Sequence, residues 1–373
     1  MRKLIISAGF ILAATVASAA TPYLVHPLIS DVPDPNNPNL IIDPNAVDPW
    51  GIAISASSPF WISNAGTGTA TVYSYNATST CAGATPNLGT LPGNPCAYTI
   101  NSAATTNVPN ASGGPGRVTG QIAGTGLNFA ANPAGPFPSF LFCTEDGTIS
   151  VRVAPNNNTN ALITVNNSGS AVYKGCAAAV TPNGSRFYAA NFKAGTIDVF
   201  DTSWNAVDTA GGFTDPNLPG GMNPFNVWVI GNKVYVAYAM LGPDGVSDVP
   251  GRGNGVVDAY DFSGNLLLSI SDQSLNSPWG MAIAPEFFGD YSFALLVGNF
   301  GDGRINAFDA MNGAYLGTLS DASGKPIVLE GLWGLQFGNG RSGGDAKSLY
   351  FGAGISGGAK KESHGLFGSI ALQ

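Results

Sequence analysis

One pattern returns about every fifty residues along the chain, and this repeat constrains the fold more than any other feature. Each copy begins with a small apolar run, as in WGIAIS (50–55), KGCAAAV (174–180), WGMAIA (279–284) and WGLQFG (333–338). Six copies are found, spaced by 69, 55, 51, 54 and 54 residues, if these positions are taken as equivalent: Gly51, Gly120, Gly175, Asn226, Gly280 and Gly334. A period of this size is typical of a propeller or a solenoid.

Three further apolar runs follow in the copies. A second run such as RFYAAN leads through a glycine turn to a third run such as GTIDVFD, and a fourth run such as NLLLSIS comes after an Asp/Asn/Gly turn. The runs are short, rich in β-branched and aromatic residues and bounded by turn residues, which indicates strands. No convincing helical periodicity is found after the N-terminus. The sequence therefore predicts an all-β fold, a six-bladed β-propeller with four-stranded blades.

The two ends of the chain are expected to close the ring. The last copy ends at Gln373 after three strands, whereas YLVHPLIS (23–30) stands alone before the first copy. We expect this N-terminal strand to be the outer strand of the last blade, because a ring closed in this way has no open sheet edge. A solenoid would need capping repeats, and we see none. The long first spacing holds a Thr/Asn/Pro/Gly-rich stretch, 76–116, interpreted as a loop insertion in the first blade.

Residues 1–19 have the features of a cleaved signal peptide. Arg2 and Lys3 precede an apolar run, and Ala17-Ser18-Ala19 fits the small-x-small cleavage pattern. The apolar run is shorter than the roughly 20 residues of a membrane-spanning helix. We therefore expect residues 20–373 to be a single propeller domain, monomeric, without a transmembrane span, and secreted or periplasmic.

Four cysteines agree with an oxidising compartment. Cys81 and Cys96 both lie in the 76–116 stretch, and we expect them to form a disulfide bond that staples it. Cys143 and Cys176 lie on strands of neighbouring copies and could pair or remain buried thiols. A metal site built on cysteine is not expected, because no close Cys/His spacing is present.

The charge of the chain argues against nucleic acid as a partner. It has 15 Lys and Arg against 23 Asp and Glu, a formal net charge of −8, and no Lys/Arg cluster. Nucleic-acid affinity depends on basic side chains that meet phosphates. The partners to consider are therefore small molecules, glycans or envelope proteins.

Long, specific segments extend from about Leu28 to Ile370, among them DPWGIAISASSPFWISNAGTGTATVY, YAANFKAGTIDVFD, LNSPWGMAIAP and LLVGNFGDGRINAFD. Along them the chain resembles a family of secreted bacterial proteins, conserved hypotheticals with no established activity. That family is regarded as six-bladed propellers similar in layout to NHL-repeat and SMP-30/gluconolactonase-like propellers. Some members carry a Pro-Glu-Pro-type sorting tail, which is not found in this sequence. The resemblance implies fold and export but transfers no catalytic residue.

Polar residues follow the second strand in four copies. They are Asn64, Asn191 and Asn299, with Glu145 at a similar place. On a propeller such positions lie on one face, where they could ring the channel mouth and offer oxygen atoms to a ligand or to Ca²⁺. Glu145, Asn191 and Asn299 are thus the candidate metal ligands. The alternative is that the asparagines satisfy the backbone of the adjoining turns.

Three tryptophans and one histidine are further candidates for a ligand site. Trp50, Trp279 and Trp333 each precede the glycine of a first strand, so they could stack on a sugar or a planar ligand at the channel mouth, or pack between blades. His364 could act as a base if it had a Ser or Asp partner, or it could be a turn residue. Glu362 and Ser363 are its neighbours in sequence.

Two groups of aspartates have structural interpretations. Asp201, Asp261 and Asp309 follow third strands and are expected to cap the turns into the fourth strands. The segment 242–258, with its three further aspartates, is interpreted as a solvated loop, because it lacks the residue order of an EF-hand.

The sequence favours an exported, non-enzymatic propeller that binds a ligand or protein partner at one face. The alternative is a Ca²⁺-dependent, lactonase-type hydrolase with a metal in the central channel, for which Glu330 could join the candidate ligands named above. A structural component of the cell envelope or matrix is a third hypothesis. No catalytic constellation is evident, which favours the non-enzymatic hypothesis, although the sequence leaves enzymatic activity open.

Overall fold

The computed structural model describes residues 21–76, 99–131, 137–153, 159–357 and 360–373, which form six sheets. The strands of the first three blades are β3 (Pro49–Ala53), β4 (Phe60–Asn64), β5 (Thr69–Asn76), β6 (Thr99–Asn107), β7 (Val118–Ala123), β8 (Phe140–Thr144), β9 (Thr148–Arg152), β10 (Leu162–Asn166), β11 (Tyr173–Thr181), β12 (Gly184–Asn191) and β13 (Thr196–Phe200). Those of the last three are β14 (Met222–Ile230), β15 (Lys233–Met240), β16 (Gly255–Tyr260), β17 (Leu266–Ile270), β18 (Pro278–Ile283), β19 (Leu295–Asn299), β20 (Ile305–Phe308), β21 (Tyr315–Thr318), β22 (Leu332–Phe337), β23 (Leu349–Gly357), β24 (Lys360–Leu372), β1 (Tyr23–Ser30) and β2 (Ile41–Ile42).

The predicted six-bladed, all-β architecture is confirmed. Apart from the short β2, strands that follow one another in a blade pair in antiparallel fashion. The helical element in the described part of the chain is the short 3₁₀ turn Gly289–Tyr291. None of the helices in the described ranges is long and apolar enough to cross a membrane. The third blade differs from the others, because its fourth position holds a single bridge between Phe200 and Ala206 in place of a full strand.

The 76–116 stretch is only partly the loop that its composition suggests. Residues 99–107 form β6, the fourth strand of the first blade, paired with β5 from Thr69 to Asn76. Residues 77–98, with Cys81 and Cys96, lie outside the described residues, as does the signal peptide expected at 1–19. The sheet of the first blade therefore continues beyond the insertion, although the composition of 99–107 is that of a loop.

Closure of the ring by the N-terminal strand is confirmed. β1 pairs antiparallel with β24, with Tyr23 opposite Leu372 and Ser30 opposite Leu366. The Ser30 hydroxyl also donates a hydrogen bond of 2.7 Å to the carbonyl oxygen of Gly365. Both ends of the described chain thus share the sheet of the last blade, and β2 extends that sheet by parallel pairing with β1.

The first strands pack against one another around the axis, which explains the glycine that recurs in them. A Cβ atom at Gly280 would lie 2.4 Å from the carbonyl oxygen of Trp333, and one at Gly334 would lie 2.3 Å from that of Trp50. Side chains do not fit at such distances, so glycine is required there. In the fourth copy, Asn226 takes this place, and its amide donates to the carbonyl oxygen of Trp279 over 2.7 Å.

The hydrophobic core of the described chain lies between neighbouring blades. Six clusters of buried residues occupy the six blade-to-blade interfaces, and a seventh lies on the axis. Between the last and first blades, for example, Tyr350 and Phe367 pack with Ile52 and Phe60. Each blade therefore buries both of its faces, and the ring is stabilised by a closed series of interfaces.

The aspartates after third strands cap their turns, as predicted. One carboxylate oxygen of Asp201 accepts hydrogen bonds from the backbone N–H groups of Ser203 and Asn205, at 2.8 and 2.9 Å. Asp261 and Asp309 bind the backbone of their own turns in the same way. These carboxylates are therefore part of the scaffold.

The interpretation of 242–258 as a solvated loop is wrong for its last residues, which belong to β16. Asp244 is exposed and caps its own turn, but Asp258 lies in β16, fully buried, and accepts a hydrogen bond from the Tyr260 hydroxyl at 2.9 Å. Burial raises the pKa of Asp258 to about 6. Asp248 faces a pocket described below. The sequence does not reveal this burial because the segment is polar and rich in glycine.

Cys143 of β8 and Cys176 of β11 form a disulfide bond between the second and third blades. Their Cα atoms are 6.3 Å apart, and both residues are buried. The pairing that the sequence left open is thus present. It joins residues that lie 33 positions apart in the chain and adds a covalent link between two neighbouring blades.

Replacing both Cys143 and Cys176 by alanine is expected to lower the free energy of unfolding by about 3 kcal/mol, since the bond restricts the unfolded chain over a long loop. Urea denaturation of the oxidised proteins measures the change. Variants are preferred to a reductant because they leave Cys81 and Cys96 untouched. An unchanged urea midpoint would show that the bond contributes nothing to stability.

Candidate functional site

Three tryptophans meet on the axis at one end of the ring. The rings of Trp50 and Trp333 stack with centroids 3.5 Å apart, and Trp279 meets both edge-on, at 6.0 and 5.7 Å. Phe300 stacks on Trp333 at 4.0 Å. We call the set an aromatic plug, consisting of Trp50, Trp279, Trp333, Phe192, Phe225 and Phe300. The plug fills the axis at this end. All three tryptophans pack together, and Trp50 and Trp333 also line the pocket at this end of the ring, whereas Trp279 does not.

The repeat explains why these side chains converge. The residue before the recurrent glycine is, from the first copy to the sixth, Trp50, Thr119, Lys174, Phe225, Trp279 and Trp333. Because the glycines bring the first strands close together, these residues share one level of the axis. In the third copy the residue is a lysine, which places an ammonium group among aromatic rings.

Lys174 is buried and held by both aromatic and acidic partners. Its Nζ lies 5.3 Å from the centre of a Trp50 ring and 5.8 Å from the rings of Phe192 and Phe225, within the range of cation–π attraction. It also forms an ion pair with Glu145, which in turn pairs with Arg117. Burial alone would raise the pKa of Glu145, but the two cations outweigh it, so that pKa is lowered.

A pocket of about 610 Å³ opens at this end of the ring. We call it the axial pocket, and its lining residues are Trp50, Arg117, Glu145, Asp146, Lys174, Val246, Ser247, Asp248, Pro250, Phe300, Trp333, Lys361 and Glu362. A side cleft of about 220 Å³ adjoins it and shares Phe300 and Glu362. At the opposite end of the channel there is a smaller pocket of about 150 Å³, lined mostly by apolar residues such as Ala53 and Val229.

Two carboxyl groups meet beside the axial pocket. A Cβ atom on Gly354 would lie 2.3 Å from Oδ1 of Asp48 and 3.1 Å from Cγ of Glu362, so both acidic side chains cover this glycine. The Trp333 indole donates to Asp48 Oδ1 at 3.1 Å, and Arg117 Nη2 lies 3.6 Å from Oδ2. Burial raises the pKa of Asp48 well above its usual range, and Glu362 raises it further. Burial likewise raises the pKa of Glu362.

The three asparagines predicted at the channel mouth are buried and bind the turns of their own blades. Asn64 donates to the hydroxyls of Thr69 and Thr71. Asn191 accepts from the backbone N–H groups of Val172 and Ala194, and Asn299 donates to the carbonyl oxygen of Ser274 at 2.7 Å. None of the three is among the lining residues of the axial pocket.

The candidate metal ligands are therefore not brought together. Glu145 lies in the axial pocket with both oxygens engaged by cations, while Asn191 and Asn299 serve separate turns. Within the described ranges, no group of three His, Cys, Asp or Glu side chains is placed to hold a metal ion. Glu330 lines the side cleft. The calcium-dependent alternative remains a prediction, which metal analysis of the purified protein would test.

His364 lies outside the axial pocket and has an acidic partner. Its Nδ1 is 2.7 Å from Oδ2 of Asp31, whose other oxygen accepts the N–H of Gly365 at 2.7 Å. Asp31 follows the closing strand β1, so this pair ties β1 to β24. Glu362, two residues before His364 in the chain, lines the axial pocket.

Sequence reasoning missed most of the charged residues of the site, namely Asp48, Arg117, Lys174, Asp248, Lys361 and Glu362. One signal was present: Lys174 departs from the aromatic pattern at an axis-facing position of the repeat. No comparable signal marks Asp48 and Glu362, which meet only because the first and last blades are adjacent.

Comparison with known proteins places the chain near viral proteins. No family model matches it. It is 31% identical over 302 residues to "Uncharacterized protein R648" of Acanthamoeba polyphaga mimivirus, covering 79% of this chain and 69% of that protein. It is 30% identical over 306 residues to "Uncharacterized protein L690" of the same virus, covering 79% and 74%. A solved streptogramin B lyase aligns with a TM-score of 0.51 over 96% of this chain and 100% of that one, at 10% identity, which shows a shared propeller fold.

Proposed function

The chain belongs to the family that includes the uncharacterised mimivirus proteins R648 and L690, and we propose that it is an exported binding protein that holds a small polar molecule in the axial pocket. The observation that carries this proposal is the unpartnered polar surface of that pocket. One oxygen of Glu362 is buried there without a hydrogen-bond partner, while the indole N–H of Trp50 and one oxygen of Asp248 lie near Asp48 and Ser277 without completing a hydrogen bond to them. Buried polar groups are normally paired, so a ligand would supply the partners.

The shape and position of the pocket support binding. Its volume lies within the range of about 300–1,000 Å³ of small-molecule sites, and its floor is formed by the stacked rings of Trp333 and Phe300. The lining comes from several blades, which a rigid ring holds in fixed positions. Loops on a rigid scaffold are where binding residues are commonly found.

Two features support export. The N-terminal 19 residues have the composition of a secretory leader. The inter-blade disulfide of Cys143 and Cys176 is a bond that persists in oxidising compartments. Fractionation of cells that express the full chain, with mass determination of the mature N-terminus, would test this part of the proposal.

A ligand is expected to raise the melting temperature of the purified mature protein, because it binds the folded state alone. At a concentration of one hundred times its dissociation constant, the gain is about 2.7 kcal/mol. Sugars, organic amines and organic carboxylates would be screened by thermal shift, and hits would be measured by isothermal titration calorimetry.

A matched pair of substitutions locates the binding site. Val246 lines the axial pocket, whereas Val180 lies near the other end of β11 from Lys174, and both are exposed. Val246→Trp should fill the pocket and abolish binding, while Val180→Trp should leave it unchanged. Equal binding by both variants would place the ligand elsewhere and refute the proposal.

A further inference from the structure

The strongest unexplained feature beside the axial pocket is the acidic pair formed by Glu362, which lines the pocket, and Asp48, which is not among its lining residues. Asp48 is 1% exposed, and its Oδ2 accepts no hydrogen bond, although Arg117 lies within ion-pair distance. The indole N–H of Trp50 lies near the same carboxyl without completing a hydrogen bond. Oε1 of Glu362 is also buried and unpartnered. Leaving such groups unsatisfied costs about 1–3 kcal/mol each.

The backbone carries a second cost at the same two residues. Asp48 and Glu362 both have a φ of 52°, in the left-handed region that non-glycine residues seldom adopt. Such conformations persist where the surrounding structure imposes them, and they are frequent at binding sites. The scaffold thus holds two acidic residues in place although both lose solvation of their carboxyl groups and both adopt an unfavourable backbone conformation.

The charges around the pocket favour a positively charged ligand. Five acidic side chains surround it if Asp48 is counted with the lining residues Glu145, Asp146, Asp248 and Glu362, against the three basic residues Arg117, Lys174 and Lys361. Two of these cations already pair with Glu145. The chain as a whole has a formal net charge of −8, so its field also attracts cations.

The protein itself shows which group suits this environment. The ammonium group of Lys174 lies against the rings of Trp50, Phe192 and Phe225 and is neutralised by a carboxylate. In the axial pocket, Phe300 offers a further aromatic surface, backed by the Trp333 ring on which it stacks, and Glu362 lines the same pocket. An aromatic face beside a carboxylate is the arrangement that binds organic ammonium groups.

We infer that the axial pocket recognises a small organic cation, an amine or guanidinium, whose charged group is bound by Glu362 with Asp48 beside it and whose apolar part rests on Phe300. This inference rests on the proposed function. A cation would donate hydrogen bonds to the unpartnered oxygens, whereas an anion would face the excess of carboxylates. A neutral sugar would leave that excess of negative charge uncompensated.

Binding should be linked to protonation. Burial raises the pKa of both Asp48 and Glu362, and repulsion by Glu362 raises that of Asp48 further. The other charged groups that act on the pair are Arg117, Glu145 and Lys174, with Lys361 beside Glu362 in the chain. A bound cation favours the ionised carboxylates, so it lowers their pKa and releases protons. Affinity should therefore rise with pH through the raised pKa range of the free protein and level off above it.

The test compares cations with neutral molecules of the same shape. We expect n-butylammonium and agmatine to bind at least about tenfold more tightly than n-butanol in calorimetric titrations. Glu362→Gln should weaken cation binding by about tenfold or more. Glu286→Gln, which removes the same charge from an exposed position in the loop after β18, should leave it within about twofold.

A second measurement uses the unaltered protein. Titrations at a series of pH values, each in buffers of different ionisation enthalpy, should show protons released on cation binding, and release should fall in Glu362→Gln. Equal binding of alcohols or sugars, no proton release and no effect of Glu362→Gln would overturn the cation assignment but leave the proposed binding function standing. Failure of every compound of both classes to bind would overturn both.

Discussion

Deletion of residues 21–31 is expected to abolish the cooperative fold of the whole ring. The deletion removes β1, exposes the edge of β24 and takes the buried side chains of Tyr23 and Ile29 out of the core. Single domains are stable by only about 5–15 kcal/mol, and the loss of a strand that joins two ends of a closed series of interfaces exceeds that margin. Circular dichroism and size-exclusion chromatography should show an unfolded or aggregated protein, and a separate peptide of residues 21–31 should restore the fold.

Two substitutions within β1 distinguish the role of this strand in closing the ring from a general effect of shortening the chain. Ile29 is fully buried between the last and first blades, whereas Leu24 is 38% exposed on the same strand. Ile29→Ala should lower the free energy of unfolding by about 2–5 kcal/mol, and Leu24→Ala by less than about 1 kcal/mol. A truncated protein that melts like the full chain, or equal effects of the two substitutions, would contradict the role assigned to β1.

The fold could be predicted because every copy of the repeat shows the same pattern of short strands and turns. Gly280 lacks a side chain and can therefore approach the Trp333 carbonyl oxygen. A glycine recurs at this position in five of the six first strands, so the same packing requirement is visible several times in the sequence. The departures from the predicted blade, such as the missing fourth strand of the third blade, depend on single tertiary contacts. In the third blade the chain turns away from the sheet after Asp201, where Trp204 has a φ of 68° and donates its indole N–H to the carbonyl oxygen of Ala130 in the neighbouring blade.

The site could be predicted less well, for a related reason. Trp50, Trp279 and Trp333 occupy equivalent positions of the repeat, so their meeting on the axis follows from the architecture. Asp48 and Glu362 do not occupy equivalent positions and lie near opposite ends of the chain. Their contact arises from ring closure, which the sequence predicts for the strands but not for these two side chains, and from two left-handed backbone conformations, which have no signature in the residue types.

Lys174→Met is expected to lower the free energy of unfolding by about 3–5 kcal/mol. The substitution leaves Glu145 buried with Arg117 as its remaining ion-pair partner, and Arg117 is half exposed. The ammonium that neutralised Glu145 and contacted three aromatic rings is lost, while the volume of the side chain is kept. Urea denaturation at pH 7 measures the change.

Three comparisons show whether the buried pair is the cause. Lys193→Met removes an exposed lysine from the same blade and should cost less than about 0.5 kcal/mol. Replacing Lys174 and Glu145 together should cost less than replacing Lys174 alone, because no buried charge is then left with a lost partner.

The third comparison is the pH dependence. The pKa of Glu145 is lowered, so its pairing stabilises the protein at pH values above the usual glutamate range, and this stabilisation is lost as the pH falls through the lowered pKa. The deficit of Lys174→Met should therefore shrink in acid, and a deficit that stays constant with pH would show that lost packing, rather than lost charge, destabilises the variant.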